Sequence, residues 1–277
     1  MNERAKRENE LSDLSDLLDA VHCMDNCKGM MLLPDESIDL VVTSPPYDDL
    51  RTYGGHSWDF YGVAWNLARV LKPGGVIVWV VADATKDGSE TGTSMEQALH
   101  FKRLGLNLHD TMIYKKKGGS PNTHHPRYIH CWEYMFVFSN GAPSKWTPTR
   151  MRKNTTAGAT VAPKRKTQRN GEIKTFNVAT TTTSEFSLDV NVWDYLVGKA
   201  SGDLGTEAHP AYFPERLAKE HIATWSEKGD IVLDPFMGSG TTAKAAQELG
   251  RHYIGFEINP EYVEICQRRT AQGTLGI

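Results

Sequence analysis

The chain has 277 residues, 39% of them hydrophobic and 23% charged, which suits a soluble globular protein with one large domain or a domain carrying an insertion, and excludes disordered and fibrous classes. Its opening residues, MNERAKRENELSDLSDLLDAVH, lack the apolar centre of a signal peptide, and no run approaches the roughly 18 apolar residues of a membrane span, so a cytoplasmic protein without membrane association is expected. The net charge of −3 hides a segregation: nine basic residues and one acidic residue lie between Pro143 and Lys174, giving that stretch +8 and the remainder −11.

In chain order, His22 precedes the first two of the four cysteines, Cys23 and Cys27, and these three have no fourth metal ligand at a usual spacing; with Cys131 and Cys266 far away, neither a metal site nor a disulfide framework is expected. IDLVV (38–42) reads as a strand and is followed at once by Thr43-Ser44-Pro45-Pro46-Tyr47. FYGVAWNLARVLKPGG has helical apolar spacing and ends at Lys72-Pro73-Gly74-Gly75. VIVWVV (76–81), LNLHDTMIY (106–114) and YMFVFS (134–139) are further strands. Between 140 and 200 the apolar periodicity stops and Thr, Asn, Gly, Pro and basic residues take over, the pattern of a loop-like insertion. It is either a solvated loop or, since a basic segment on an acidic protein suits phosphate backbones, a nucleic-acid contact. DIVLD (230–234) and HYIGFE (252–257) are strands flanking TTAKAAQELG, a helix expected to be capped by Thr241 or Thr242 and closed by Gly250. Strands alternating with helices predict an α/β fold around a mostly parallel sheet.

Asp234 ends a strand, Gly238 and Gly240 make a tight turn into a helix, and Glu257 ends the next strand. Ligands bind at such carboxyl ends in open α/β sheets, where backbone N–H groups at a helix start suit an anion and an acid about 20 residues on accepts from ribose hydroxyls. The pattern fits several adenosine-containing cofactors; the other reading, a tight strand–helix turn with no ligand, leaves the acids at both strand ends unexplained. There is no Gly-Lys-Ser/Thr of a phosphate-binding loop, and a dehydrogenase would lack its G-x-G-x-x-G spacing and leave Ser-Pro-Pro-Tyr idle.

Together, Asp-Pro-Phe-Met-Gly-Ser-Gly-Thr-Thr and Thr-Ser-Pro-Pro-Tyr resemble the S-adenosylmethionine-dependent DNA amino-methyltransferases of the β group, with the catalytic motif first, a target-recognition region in the middle and the cofactor motif last. The resemblance covers nearly the whole chain. It implies a Rossmann-like methyltransferase fold with permuted motif order: residues 1–139 the catalytic part, 140–200 a basic target-recognition insertion, and 201–277 the cofactor-binding part of the same domain. It further implies catalysis by Ser44, Pro45, Pro46 and Tyr47. Ser44 Oγ and the Pro45 carbonyl would accept the hydrogens of an exocyclic amine on a flipped base, the prolines fixing the turn and Tyr47 stacking on the base.

By the same resemblance, Asp25, Thr43, Asp234, Pro235, Phe236, Gly238, Ser239, Gly240, Thr241 and Glu257 would hold S-adenosylmethionine. Asp25 would lie near the adenine amine and Glu257 on the ribose; the family often has Gly-Asp where this chain has Met24-Asp25. HPAYFP (209–214) resembles the segment that closes the pocket. Lys164, Arg165, Lys166 and Arg169 would contact double-stranded DNA, and the resemblance allows a homodimer and a cognate restriction enzyme as further partners. Cytosine N4 is expected over adenine N6, because Ser-Pro-Pro-Tyr is commoner in the former enzymes and Asp-Pro-Pro-Tyr in the latter. A C5-cytosine enzyme is excluded because no cysteine follows a proline. An RNA or protein amine as acceptor, and a catalytically idle DNA-binding protein, are the other readings the residues allow.

Overall fold

A computed structural model describes residues 14–46, 58–117, 128–160, 164–167, 171–176, 182–196 and 214–273. Tyr47, Arg169 and residues 209–213 of HPAYFP lie outside these. The chain forms two compact units, Met1–Thr147 with Asn191–Ile277, and Pro148–Val190. The larger unit runs α1 (Leu14–Leu17), β1 (Ala20–Cys23), α2 (Asn26–Met30), β2 (Ile38–Thr43), α3 (Phe60–Val70), β3 (Leu71–Val81), the hairpin strands β4 (Thr85–Lys86) and β5 (Ser89–Glu90), α4 (Thr93–Arg103), β6 (Asn107–Lys117) and β7 (Trp132–Ser139). The smaller unit holds β8 (Met151–Lys153), β9 (Lys164–Thr167), β10 (Ile173–Phe176) and β11 (Phe186–Leu188). The chain then returns to the larger unit with β12 (Val192–Leu196), α5 (Glu215–Trp225), β13 (Ile231–Asp234), α6 (Thr241–Glu248), β14 (His252–Glu257) and α7 (Pro260–Gly273).

Eight strands form one sheet in the order β1-β14-β13-β2-β3-β7-β6-β12. β7 pairs antiparallel with both neighbours and every other pairing is parallel. Both faces are covered, as the sequence pattern requires. Leu40, Val42, Val76, Val78 and Val80 enter one apolar cluster with Leu217, Ile222, Ala243 and Ala246 of α5 and α6. The alternate residues Val41, Ile77, Trp79 and Val81 enter the other, with Val63, Leu67 and Phe101 of α3 and α4. Continuous apolar strands buried on both faces are what a parallel sheet demands.

The chain order is permuted relative to the sheet. From β2 the chain moves outward to β3, whereas from β13 it moves the other way to β14, so the direction of progression reverses between β13 and β2. That is a topological switch point, where carboxyl ends of neighbouring strands open a crevice. β13 and β2 pair in parallel with Leu233 opposite Val41, which carries Asp234 and Thr43 to the same end of the sheet.

Two local expectations are corrected. The first helix of the FYGVAWNLARVLKPGG stretch stops at Val70 and Leu71 is already extended, so Lys-Pro-Gly-Gly lies inside β3 rather than closing the helix. Lys145, counted within the basic run, belongs to the larger unit and is bonded to Asp230 at 2.6 Å and Asp39 at 3.2 Å. Burial raises the carboxyl of Asp39, but bonds from Lys72, Lys145 and the Ile231 N–H outweigh it and hold Asp39 below the usual range.

In the smaller unit β8 pairs antiparallel with β11 and β9 with β10. Backbone pairing joins each hairpin. The register sets Lys166 opposite Lys174.

Candidate active site

The crevice between β13 and β2 is organised by Asp234, 2% exposed. A buried carboxylate only accepts hydrogen bonds and must find donors. Asp234 Oδ1 accepts from Thr43 Oγ1 at 2.6 Å and from the Phe236 N–H at 3.0 Å, and Oδ2 accepts from Thr242 Oγ1 at 2.7 Å. The donors come from the end of β2, the glycine turn and the first turn of α6. Burial drives the Asp234 carboxyl up to about 6; the three donors pull it back and the Glu257 charge adds to the rise.

Thr43 is wholly buried, and Ser44, Pro45 and Pro46 continue from it out of β2, with Ser44 and Pro46 half-buried and Pro45 buried. The strand therefore delivers Ser44 and Pro45 beside the glycine turn. Pro235, Phe236, Gly238, Ser239, Gly240 and Thr241 form that turn and open α6. Gly240, at φ 86°, is the residue that precedes the helix, and no side chain caps it, which corrects the expectation that Thr241 or Thr242 would. Thr242 is instead consumed by Asp234 and by the Val42 carbonyl at 3.2 Å. A side chain on Gly240 would meet Cys266 Sγ at 2.4 Å, so the turn can sit this close to α7 only as glycine.

Glu257 ends β14 and closes the turn from the other side: Oε2 accepts from the Gly238 N–H and Oε1 from the Asn259 N–H, each at 2.8 Å. Asp25 accepts from the Lys28 N–H at 3.0 Å and so caps α2. Its neighbour Asn26 donates to the Pro235 carbonyl at 3.2 Å, bringing the head of α2 to the turn. α2 lies that close to the sheet because Gly29 bears no Cβ, which would fall 2.3 Å from the Phe256 ring.

Sequence reasoning missed Asn26, the Asp234 bond of Thr242, and Trp58, whose indole packs edge-on against Phe236 at 5.0 Å between centroids. The signal for Asn26 was its place beside Asp25; Trp58 had none. Of the cysteines, Cys27 is pushed up to about 11, by burial first and then by Asp25 and Asp59, and Cys266 to about 12, chiefly by burial. Burial thus favours the thiol form of both.

The residues fit an adenosine-bearing sulfonium cofactor. A turn that carries glycine at φ 86° lets a ligand approach its backbone closely, and Asp234 and Glu257 end the strands on either side of it, with Asp25 heading the helix whose Asn26 bonds Pro235, charges that suit a cation and a ribose.

A DNA methylase family model matches residues 38–268. The chain belongs to that family. It is 49% identical over 238 residues, 85% of this chain and 89% of the relative, to the orphan methyltransferase M.BamHII of Bacillus amyloliquefaciens. With the type II methyltransferase M.BglII of Bacillus subtilis the identity is 27%, over 90% of this chain and 68% of that protein. Among solved structures, TTHA0409 of Thermus thermophilus, crystallised with S-adenosyl-L-methionine, superposes with TM-score 0.60 at 26% identity, covering 93% of this chain and 97% of the other. The cytosine-N4-specific PvuII DNA methyltransferase gives 0.66 at 22% identity over 90% and 85% of the two chains, a likeness of fold. This family member is an S-adenosylmethionine-dependent DNA amino-methyltransferase with a Rossmann-like α/β fold. No helix among its described residues is long and apolar enough to cross a membrane.

The raised carboxyl of Asp234 makes a signed prediction. Between about pH 4 and pH 6 the folded protein holds a proton there that the unfolded chain has released, so stability relative to Asp234→Asn falls as pH rises through that window, by up to about 3 kcal/mol. Urea denaturation of both proteins at pH 4, 5, 6 and 7 measures the gap. A gap that does not change with pH would mean that Asp234 ionises as easily folded as unfolded.

Proposed function

We propose that this methyltransferase modifies the N4 amine of cytosine in double-stranded DNA, with Ser44 and Pro45 as the groups that act on the amine. The observation that carries this is the bond from Thr43 to Asp234. Ser44-Pro45-Pro46 is the continuation of the residue that is hydrogen-bonded to the head of the glycine turn, so the amine-binding carbonyl and hydroxyl adjoin the cofactor-binding backbone. An aromatic amine is a weak nucleophile because its lone pair is delocalised. Ser44 Oγ and the Pro45 carbonyl accept its two hydrogens, localise the lone pair and aim it, while the proline rings hold the carbonyl in place. Tyr47 stacks on the base once it has left the duplex. The bound cofactor supplies a methyl group on a sulfonium centre. Asp25 accepts from its adenine amine and Glu257 from its ribose. Thr43, Asp234, Pro235, Phe236, Gly238, Ser239, Gly240 and Thr241 shape the backbone around its methionine portion.

The base assignment is favoured by serine ahead of the two prolines. Ser-Pro-Pro-Tyr is commoner among the cytosine-N4 enzymes that the chain resembles; a hydroxyl accepts an amine hydrogen without adding charge, a property that serves either base. Lys164, Arg165, Lys166 and Arg169 contact the DNA backbone from the smaller unit. Charge supports that role: from Arg150 to Lys174 eight basic residues stand against one acidic residue, a balance that attracts a polyanion.

DNA from a methylation-free host expressing the protein is expected to yield N4-methylcytosine on nucleoside mass spectrometry. Ser44→Ala is expected to lower turnover by roughly 10- to 100-fold with cofactor affinity kept, the worth of one hydrogen bond strengthened in the transition state. N6-methyladenine alone would overturn the base assignment; neither product, with cofactor bound, would move the substrate to RNA.

Replacing Lys164, Arg165 and Lys166 by Gln is expected to flatten the salt dependence of DNA binding by up to about 0.9 in slope for each phosphate no longer neutralised, with cofactor affinity unaltered. An unchanged slope would make the segment a solvated loop.

A further inference from the structure

Behind the glycine turn lies an ion network that the chemistry above does not use. Its centre is Glu215, the first residue of α5, with a side chain 11% exposed. Among the described residues three cations converge on it from three helices: Lys219 of α5 at 2.7 Å, Lys244 of α6 at 2.9 Å and Arg269 of α7 at 3.6 Å. Burial on its own raises the Glu215 carboxyl, but the bonds from Lys219 and Lys244 hold it below the ordinary range. Arg269 has a second engagement. Its Nη1 donates to the Ser239 carbonyl at 2.9 Å and to Ser239 Oγ at 3.1 Å, while Nη2 faces Glu215.

Ser239 lies between Gly238 at φ 51° and Gly240 at φ 86°, two left-handed residues that resist folding back only if something fixes the peptide planes between them. The Gly240 N–H is tied to the Met237 carbonyl at 3.0 Å. The Ser239 carbonyl is tied to Arg269. A carbonyl turned into the crevice would repel the carboxylate of a bound amino acid, and the bond to Arg269 draws it back towards α7. Cys266, one turn earlier on the same helix, packs where a Gly240 side chain would be, so α7 supports the turn at two successive residues.

We infer that Arg269 is a positioning residue for the cofactor: its guanidinium fixes the Ser239 peptide and, through Glu215, locks the glycine turn to the start of α5. This rests on the turn being the cofactor site proposed above. The two-sided contact needs a planar fork. A lysine at 269 could face Glu215 or Ser239 with its single nitrogen, and not both in the same geometry.

The test is titration calorimetry of S-adenosylmethionine with Arg269→Lys, Arg269→Gln and Lys219→Gln, beside wild type, together with steady-state kinetics and melting temperatures. Arg269→Gln is expected to weaken cofactor binding roughly tenfold, the worth of one hydrogen bond from a charged donor, and Arg269→Lys by less, each raising the cofactor KM with kcat at saturation largely kept. Lys219→Gln removes a partner of Glu215 that does not touch the turn, and is expected to lower melting temperature without moving cofactor affinity. Wild-type affinity in a folded Arg269→Gln or Arg269→Lys protein overturns the inference. If Arg269→Gln does not fold, Arg269→Lys decides in the same way. Equal losses of affinity in Lys219→Gln and the Arg269 variants also overturn it, because that is general destabilisation. Failure of wild type to bind the cofactor, or unaltered binding in Glu257→Ala, would strike instead at the turn as the cofactor site.

Discussion

One buried hydrogen bond joins the two halves of this enzyme. Thr43 and Asp234 are 191 positions apart in the chain and 2.6 Å apart in space, and neither can be spared without cost. A carboxylate sealed from water at the end of β13 is tolerable only with donors on its oxygens. The fold collects one from β2, one from the turn and one from α6. Ser44 and Pro45 on one side, and the glycine turn on the other, are therefore held in one register by this acceptor, with the β2–β13 pairing and the Thr242 bond to the Val42 carbonyl beside it. The permuted order of motifs does no harm, because the sheet is indifferent to which strand comes first as long as β13 and β2 are neighbours.

The choice of aspartate over asparagine follows from the donors. All three partners point hydrogens at it, and an amide would set an N–H against one of them. The charge is unfavourable when buried, as the raised carboxyl shows, and a cationic cofactor close by would offset that penalty. Behind the turn the signs are different: Glu215, Lys219, Lys244 and Arg269 make a network beside the Ser239 peptide, with Cys266 filling the space that Gly240 leaves. The site is thus a thin loop held between a buried acid in front and a helix behind.

Much of this was legible in the sequence, for physical reasons. Strands buried on both faces must be apolar throughout, so VIVWVV and YMFVFS announced themselves, and a turn needing left-handed backbone announced itself as Gly-Ser-Gly. What was not legible depended on distant partners. β1, only four residues long, is a strand because β14 offers it an edge, and Val192–Leu196 lay inside a segment whose composition reads as loop yet pairs with β6. Thr241 and Thr242 carry an N-cap composition, but Asp234 competes for the Thr242 hydroxyl and wins. Lys145 sits in a basic run and pairs with acids 85 and 106 positions away. Arg269 carries no local signal, since its partner Ser239 is 30 residues distant on another element.

The measurement that bears most directly on this account compares Thr43→Val with Thr43→Ser. Valine keeps the shape and removes the hydroxyl; serine restores it. Titration calorimetry with S-adenosylmethionine and single-turnover methylation of DNA should show both cofactor affinity and turnover falling together in Thr43→Val, by about tenfold or more for a buried carboxylate that loses a donor, and both returning in Thr43→Ser. A folded Thr43→Val protein that binds the cofactor and methylates DNA as wild type does would contradict the claim that this one bond couples the two motifs.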